Sequence, residues 1–141
     1  LIIDSKEHGA VNDMIRLIDR HFPNVILLPT VCSKKALQRT CLEQPVEIAV
    51  INADGEEDSF ELYKVLLSFC PNAKAILYSA VESFATAQKA LRYGLIDYLV
   101  EPITNDFVYA LDRGIQSINQ ISLLHIEKNN EASPSLSLRH K

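Results

Sequence analysis

The sequence lacks any CxxC pair, and its three cysteines, Cys32, Cys41 and Cys70, are odd in number. Neither a disulfide frame nor a zinc site is suggested, so the expectation is reduced thiols packed as small hydrophobes. No apolar run approaches the roughly 18 residues that cross a bilayer, and no signal peptide is recognisable; membrane association is not expected, and a cytoplasmic location is. Basic charge is in short supply, with 14 Lys and Arg against 18 Asp and Glu and a formal net charge of −4. Lys34, Lys35 and Arg39 share part of one helix face, but phosphate binding wants a larger cationic cluster, so direct nucleic-acid binding is not expected. The four histidines, His8, His21, His125 and His140, share no ligand spacing, and no Ser-His-Asp or Cys-His set falls at one strand end. A flavodoxin-like phosphate loop would need small, hydroxyl and glycine residues after the first strand, where this chain has Asp4-Ser5-Lys6-Glu7. The expectation is a chain that is not an enzyme and keeps no metal or cofactor.

What the sequence does hold is apolar residues, 48% of 141, enough for one globular domain with a sizeable core. The chain is organised around Ile48-Ala49-Val50-Ile51, an unbroken apolar run that stops at Asn52 and is followed by Ala53-Asp54-Gly55. Four apolar residues without alternation fit a parallel strand covered on both faces, and in open α/β sheets the chemistry lies outside the carboxyl ends of such strands. Similar runs recur at Leu1-Ile2-Ile3, Val25-Ile26-Leu27-Leu28, Ala75-Ile76-Leu77-Tyr78 and Asp97-Tyr98-Leu99-Val100. Between them lie stretches with helical spacing. Val11, Met14, Ile15, Ile18 and Phe22 mark the first, and Ser33 caps a second that carries Ala36, Leu37, Cys41 and Leu42 inward. Asp58 and Glu61 form a capping-box-like pair before a third, with Leu62, Val65, Leu66 and Phe69, which Pro71 stops. Ser83 caps a fourth through Ala87, Ala90 and Leu91, with Gly94 at its C-terminal cap, and Thr104 opens the last, with Phe107, Ala110, Leu111, Ile115 and Ile118. Five strand-helix units require right-handed crossovers and a doubly wound parallel sheet.

The residues at the strand ends narrow this pattern. Leu-Ile-Ile-Asp at 1–4, Pro-Val-Glu-Ile-Ala-Val-Ile-Asn at 45–52, Ile-Leu-Tyr-Ser-Ala at 76–80 and Gly-Leu-Ile-Asp-Tyr-Leu-Val-Glu-Pro-Ile at 94–103 come in an order and spacing that resembles the receiver domain of bacterial two-component response regulators. The resemblance covers about residues 1 to 120. It implies a flavodoxin-like (βα)5 fold with a five-stranded parallel sheet in the order 2-1-3-4-5. It also implies a site in which an aspartate ending the third strand takes a phosphoryl group from a histidine kinase. Acidic residues after the first strand hold Mg²⁺ with it, a Ser or Thr and a Lys contact the phosphoryl oxygens, and an aromatic on the fifth strand reports the state.

Set on this chain, Asp4, Ser79 and the switch aromatic Tyr98 match that pattern, and three positions depart from it. Ser5 stands where a second acid belongs, and Asn52 stands at the acceptor position. An amide carries no charge and its lone pairs are delocalised, so it is no nucleophile for phosphorus. Glu101 replaces the lysine before Pro102, and at about 4 Å that exchange turns an attraction of roughly 4 kcal/mol into a repulsion of the phosphoryl group. The resemblance is thus to a degenerate receiver, a pseudo-receiver of the CheY-like superfamily, and it implies a cis Glu101-Pro102 bond.

The expected function is that of a regulatory domain, within a transcriptional regulator of two-component type, which acts by protein contact or dimerisation without phosphorylation. One alternative is a working phosphoacceptor that uses Asp54 or unorthodox metal ligands, although Asp54 lies about 6–7 Å beyond Asn52 along an extended chain. A second is a small-ligand sensor. Residues 1–127 are expected to form the receiver-like domain, and the polar, Ser-rich stretch 128–141 a flexible linker. Because the sequence opens directly on strand residues, it reads as part of a longer chain whose output domain, often a DNA-binding one in this family, is attached through that linker. The last helix, read from 104 to about 127, carries an apolar seam that includes Leu111, Ile118 and Ile121. A homodimer is expected through the face made by the fourth helix, the fifth strand and this helix, the face through which the family commonly pairs.

Overall fold

The computed structural model describes residues 1–4 and 9–132, and side chains as far as residue 120. Its elements follow in the order β1 (Ile2–Ile3), α1 (Gly9–His21), α2 (Lys34–Glu43), β2 (Ile48–Asn52), α3 (Ser59–Phe69), β3 (Lys74–Ser79), α4 (Phe84–Arg92), β4 (Asp97–Val100) and α5 (Asn105–Ala132). The four strands make one parallel sheet in the order β1-β2-β3-β4.

Side chains alternate across this sheet and build two cores. Ile3, Ala49, Ile51, Ala75 and Leu77 face one way, against Leu37 of α2, Phe60, Leu62 and Leu66 of α3 and Ala90 of α4. Ile2, Val50, Ile76, Tyr78 and Leu99 face the other way, against Met14 and Ile18 of α1 and Phe107, Ala110 and Leu111 of α5. A strand buried on both faces has no polar side to show, which is why β2 and β3 read as continuous apolar runs.

The helices begin at the caps that the sequence offers. Ser33 accepts from the Ala36 N–H at 3.1 Å, Asp58 from the Phe60 N–H at 2.9 Å and Ser83 from the Thr86 N–H at 3.2 Å; each hydroxyl or carboxylate satisfies a backbone donor that the first helical turn leaves without a partner. Gly94 follows α4 at φ 74°, a left-handed conformation that costs glycine little.

Among the described residues the five-stranded expectation is corrected to four. The stretch 25–28 forms no strand, and its neighbourhood contributes only one parallel bridge, Val31 to Ile3, in which the Val31 N–H donates to Ile2 O at 3.1 Å and the Asp4 N–H to Val31 O at 3.0 Å. The next pairing position back along this segment is Pro29, which has no N–H to extend the ladder. Ile26 stands 84% exposed. The bridge places this segment beside β1, on the side away from β2.

One inward assignment also changes, since Leu42 points outward. In addition, α5 runs to Ala132, into the stretch 128–141 expected as a linker.

Candidate functional site

The register places a row of side chains across the carboxyl ends of the strands. Ile3 pairs with Ile51 and Asn52 with Tyr78, so Asp4, Asn52 and Tyr78 stand side by side on the face that α1 and α5 cover. All three are buried. The Asn52 amide donates from Nδ2 to Asp4 Oδ1 at 2.9 Å, and the Tyr78 hydroxyl donates to Asp4 Oδ2 at 2.5 Å. Asn52 Oδ1 in turn accepts from the Asp54 N–H at 2.8 Å; this bond fixes which end of the amide meets the carboxylate.

A buried carboxylate without bonding partners is costly, whereas here both of its oxygens accept from neutral donors. Burial, first, and then the hydrogen bond and charge of Asp4, with Glu101 and Asp54 contributing, push the Tyr78 hydroxyl far above its usual range. The phenol therefore stays protonated and keeps donating.

Asp54 lies in the turn after β2. Its carboxylate accepts from the Ala80 N–H at 2.7 Å, tying the β2–α3 turn to the end of β3. Glu101 follows β4, its N–H donates to Ser79 O at 2.9 Å, and the Glu101-Pro102 bond is cis, as the resemblance implies. On the opposite face of the sheet, Ser79 Oγ lies 2.7 Å from the Tyr98 hydroxyl. Ser79 Oγ donates to Val81 O at 2.9 Å, and the Ser83 N–H donates to the Tyr98 hydroxyl at 3.1 Å. The residues of the switch pair are thus bonded to one another and to the loop that leads into α4.

Of the residues singled out in the sequence, Asp4 and Asn52 are brought into contact, and Ser79 joins Tyr98 instead of them. Asp54 reaches the mouth of the same cluster through Ala80. Ser5 lies outside the described residues. The sequence does not single out Tyr78; its signal is the pairing of its position with that of Asn52, visible only once the register is known.

The Mg²⁺ that the resemblance implies fits this arrangement poorly. Hard cations want several anionic oxygens, whereas Asp4 is engaged on both oxygens and its neighbour at position 52 is an amide. Among the described residues no group of three or more His, Cys, Asp or Glu is placed to hold a metal ion.

The candidate interface residues separate. Leu111 is buried in the core beneath α5, and Ile118 lines a groove with Pro45, Val46 and Glu47, at the amino ends of the strands. The side chain of Ile121 lies outside the described residues. The large apolar side chains exposed near β4 are Val81, Phe84, Leu91, Val100 and Tyr109.

No family model and no curated protein matches this sequence. Solved structures do match its fold. A response regulator protein from Burkholderia pseudomallei, solved with a phosphorylated aspartic acid, calcium ion and citrate, superposes with a TM-score of 0.65 at 17% identity, covering 95% of this chain and 82% of that one. The receiver domain of NtrC4 from Aquifex aeolicus gives a TM-score of 0.65 at 14% identity, with 83% and 95% covered. The signal receiver domain of a modulated diguanylate cyclase from Desulfovibrio desulfuricans G20 gives a TM-score of 0.64 at 22% identity, with 86% and 94% covered. With its parallel sheet, its two helical layers and its polar cluster at the carboxyl ends of the strands, this chain has the fold of response-regulator receiver domains.

Proposed function

We propose that this chain is a receiver-like regulatory domain that works without aspartyl phosphorylation, by association with a second copy of itself. The observation that carries the reading is the Asn52–Asp4–Tyr78 network. The amide at the acceptor position cannot form an acyl phosphate, and its N–H takes a carboxylate oxygen that a cation would need. Phosphoryl transfer is mostly positioning and charge neutralisation, and here the charge near the site, from Asp4, Asp54 and Glu101, is negative.

The proposed contact surface is the face made by α4, β4 and α5. Phe84 and Leu91 are 76% and 82% exposed and lie two turns apart on one side of α4. Tyr109, 62% exposed, shares a stripe of α5 with Asp106 and Arg113, and Arg113 reaches Asp97 of β4 at 2.7 Å. That ion pair places the stripe beside the open edge of the sheet. An output domain of transcriptional type, joined beyond α5, completes the proposal; the receiver-like domain does not itself contact nucleic acid.

Acetyl phosphate or beryllofluoride with Mg²⁺ tests the reading. The expected result is an unchanged mass and an unchanged amide NMR spectrum. A single phosphoryl adduct that disappears in Asp54→Ala would overturn it in favour of a working acceptor. A spectrum that moves with a metabolite but not with phosphodonors would favour a ligand sensor instead.

A further inference from the structure

Cys41 lies in the last turn of α2 and Cys70 is the C-cap of α3. Where those helices pack together the Cys41 and Cys70 side chains are neighbours. The Cys70 sulfur accepts from the Val46 N–H at 3.5 Å. Both cysteines are half-buried against the core on that side of the sheet, and both line an open groove of about 520 Å³ along with Val46, Phe69 and Pro71. A small solute can reach them. The Cys70 sulfur thus has a second thiol beside it, and in a thiol pair the thiolate form is the nucleophile. Burial, and then the proximity of Cys70, push the Cys41 thiol up to about 11, so Cys41 keeps its proton.

We propose that Cys41 and Cys70 are a reversible dithiol–disulfide pair, oxidised by a peroxide that enters through this groove. The Cys70 thiolate attacks one peroxide oxygen, the O–O bond breaks, and the departing hydroxide takes a proton to leave as water, giving a sulfenic acid on Cys70. The Cys41 sulfur then attacks the Cys70 sulfur, the S–O bond breaks, and the hydroxyl leaves as a second water with the Cys41 proton. Two thiols and one hydrogen peroxide thus yield one disulfide and two waters. A dithiol reductant reverses the step. The bond would staple the end of α2 to the end of α3 and draw the Cys70 sulfur away from Val46, just ahead of β2.

Hydrogen peroxide added to the reduced chain, followed by peptide mapping without reductant, is the test. The expected product has lost about 2 Da, links the Cys41 and Cys70 peptides, and retains one of the three free thiols, that of the exposed Cys32. It should unfold on the order of 10 °C higher, because the link closes a long loop, and dithiothreitol should return it to the starting mass and midpoint. Cys32→Ser should behave the same way. A link that involves Cys32, a sulfinic acid on Cys70 in place of a link, or three thiols still free after peroxide would each overturn the proposal.

Discussion

Asn52 does beside Asp4 what a carboxylate at that position could not: it presents a neutral N–H at 2.9 Å, where a second anion without a cation between would be repelled. Tyr78 completes the exchange from the next strand. Its hydroxyl is fully buried and hydrogen-bonded to a charge, so Tyr78→Phe should cost about 1–3 kcal/mol in denaturant unfolding at pH 7 by removing one donor from a buried carboxylate. The pH dependence has a definite sign. The folded phenol titrates far above the usual value of 10.0, so the stability it contributes is complete below pH 10. Above that, the unfolded chain releases a proton that the folded chain retains, and stability falls by about 1.4 kcal/mol per pH unit for this group. Between pH 10 and 11.5 the wild-type chain should therefore lose stability more steeply than Tyr78→Phe. Tyr63, also shifted upward by burial, adds the same sign to both proteins and cancels in the comparison. An equal slope in the two would mean that Tyr78 does not hold its proton in the fold. At this scale the sequence is most legible where chemistry depends on residue type alone: amide for carboxylate at 52 and acid for lysine at 101 are plain. It is least legible where chemistry depends on register. Nothing at position 78 announces that its side chain lies alongside Asn52.

Strands and helices follow the sequence closely where burial is one-sided or complete, and depart from it where a single backbone group decides. The run at 25–28 has the apolar composition of a strand, yet Pro29 removes the donor that would continue the pairing made at Val31, and composition does not register that loss. Helical spacing likewise says that a helix has an apolar side but not how wide it is. Leu42 is expected inward with Leu37 in α2, yet Leu37 alone of that helix is buried. The one glycine of α5 is informative in the same way. A Cβ on Gly114 would come 2.6 Å from Ile96 Cδ1 and 3.2 Å from Ile48 Cδ1, so the missing side chain is what lets this helix lie close on the sheet. Gly114→Ala should change stability little, since a gain of about 1 kcal/mol in helix propensity offsets the displacement of a side-chain tip. Gly114→Leu has no such remedy and should cost about 1–3 kcal/mol through overpacking. Urea midpoints of the two variants check the pair. A leucine tolerated as well as alanine would show that α5 can lift from the sheet at little cost.

For the molecule as a whole, the seam of α5 is legible in the sequence, and among the described side chains the structure divides it between core and groove. Leu111 is beneath the helix, Ile118 is in the groove at the amino ends of the strands, and the most exposed large apolar residues near β4 include Phe84 and Leu91 of α4. A helix packed on a sheet has only one inner side, so a stripe wider than that side must divide in this way, and where it divides depends on how the helix is rotated. The proposed dimer can therefore be broken where the fold has no stake. Phe84→Asp with Leu91→Asp alters two side chains that are 76% and 82% exposed, and such surface changes usually shift stability by no more than about 0.5 kcal/mol each. Two charges placed in an apolar contact between copies would instead leave carboxylates desolvated without partners. Sedimentation at hundred-micromolar concentration should find the wild-type chain as a dimer and the double variant as a monomer with an unchanged thermal midpoint. Ile118→Asp gives the counter-test: it should lower the midpoint, because the side chain is half-buried, and leave the dimer intact. If Ile118→Asp dissociates the chain while the α4 pair does not, the copies meet along α5 beyond the sheet, and the exposed face of α4 serves some other partner.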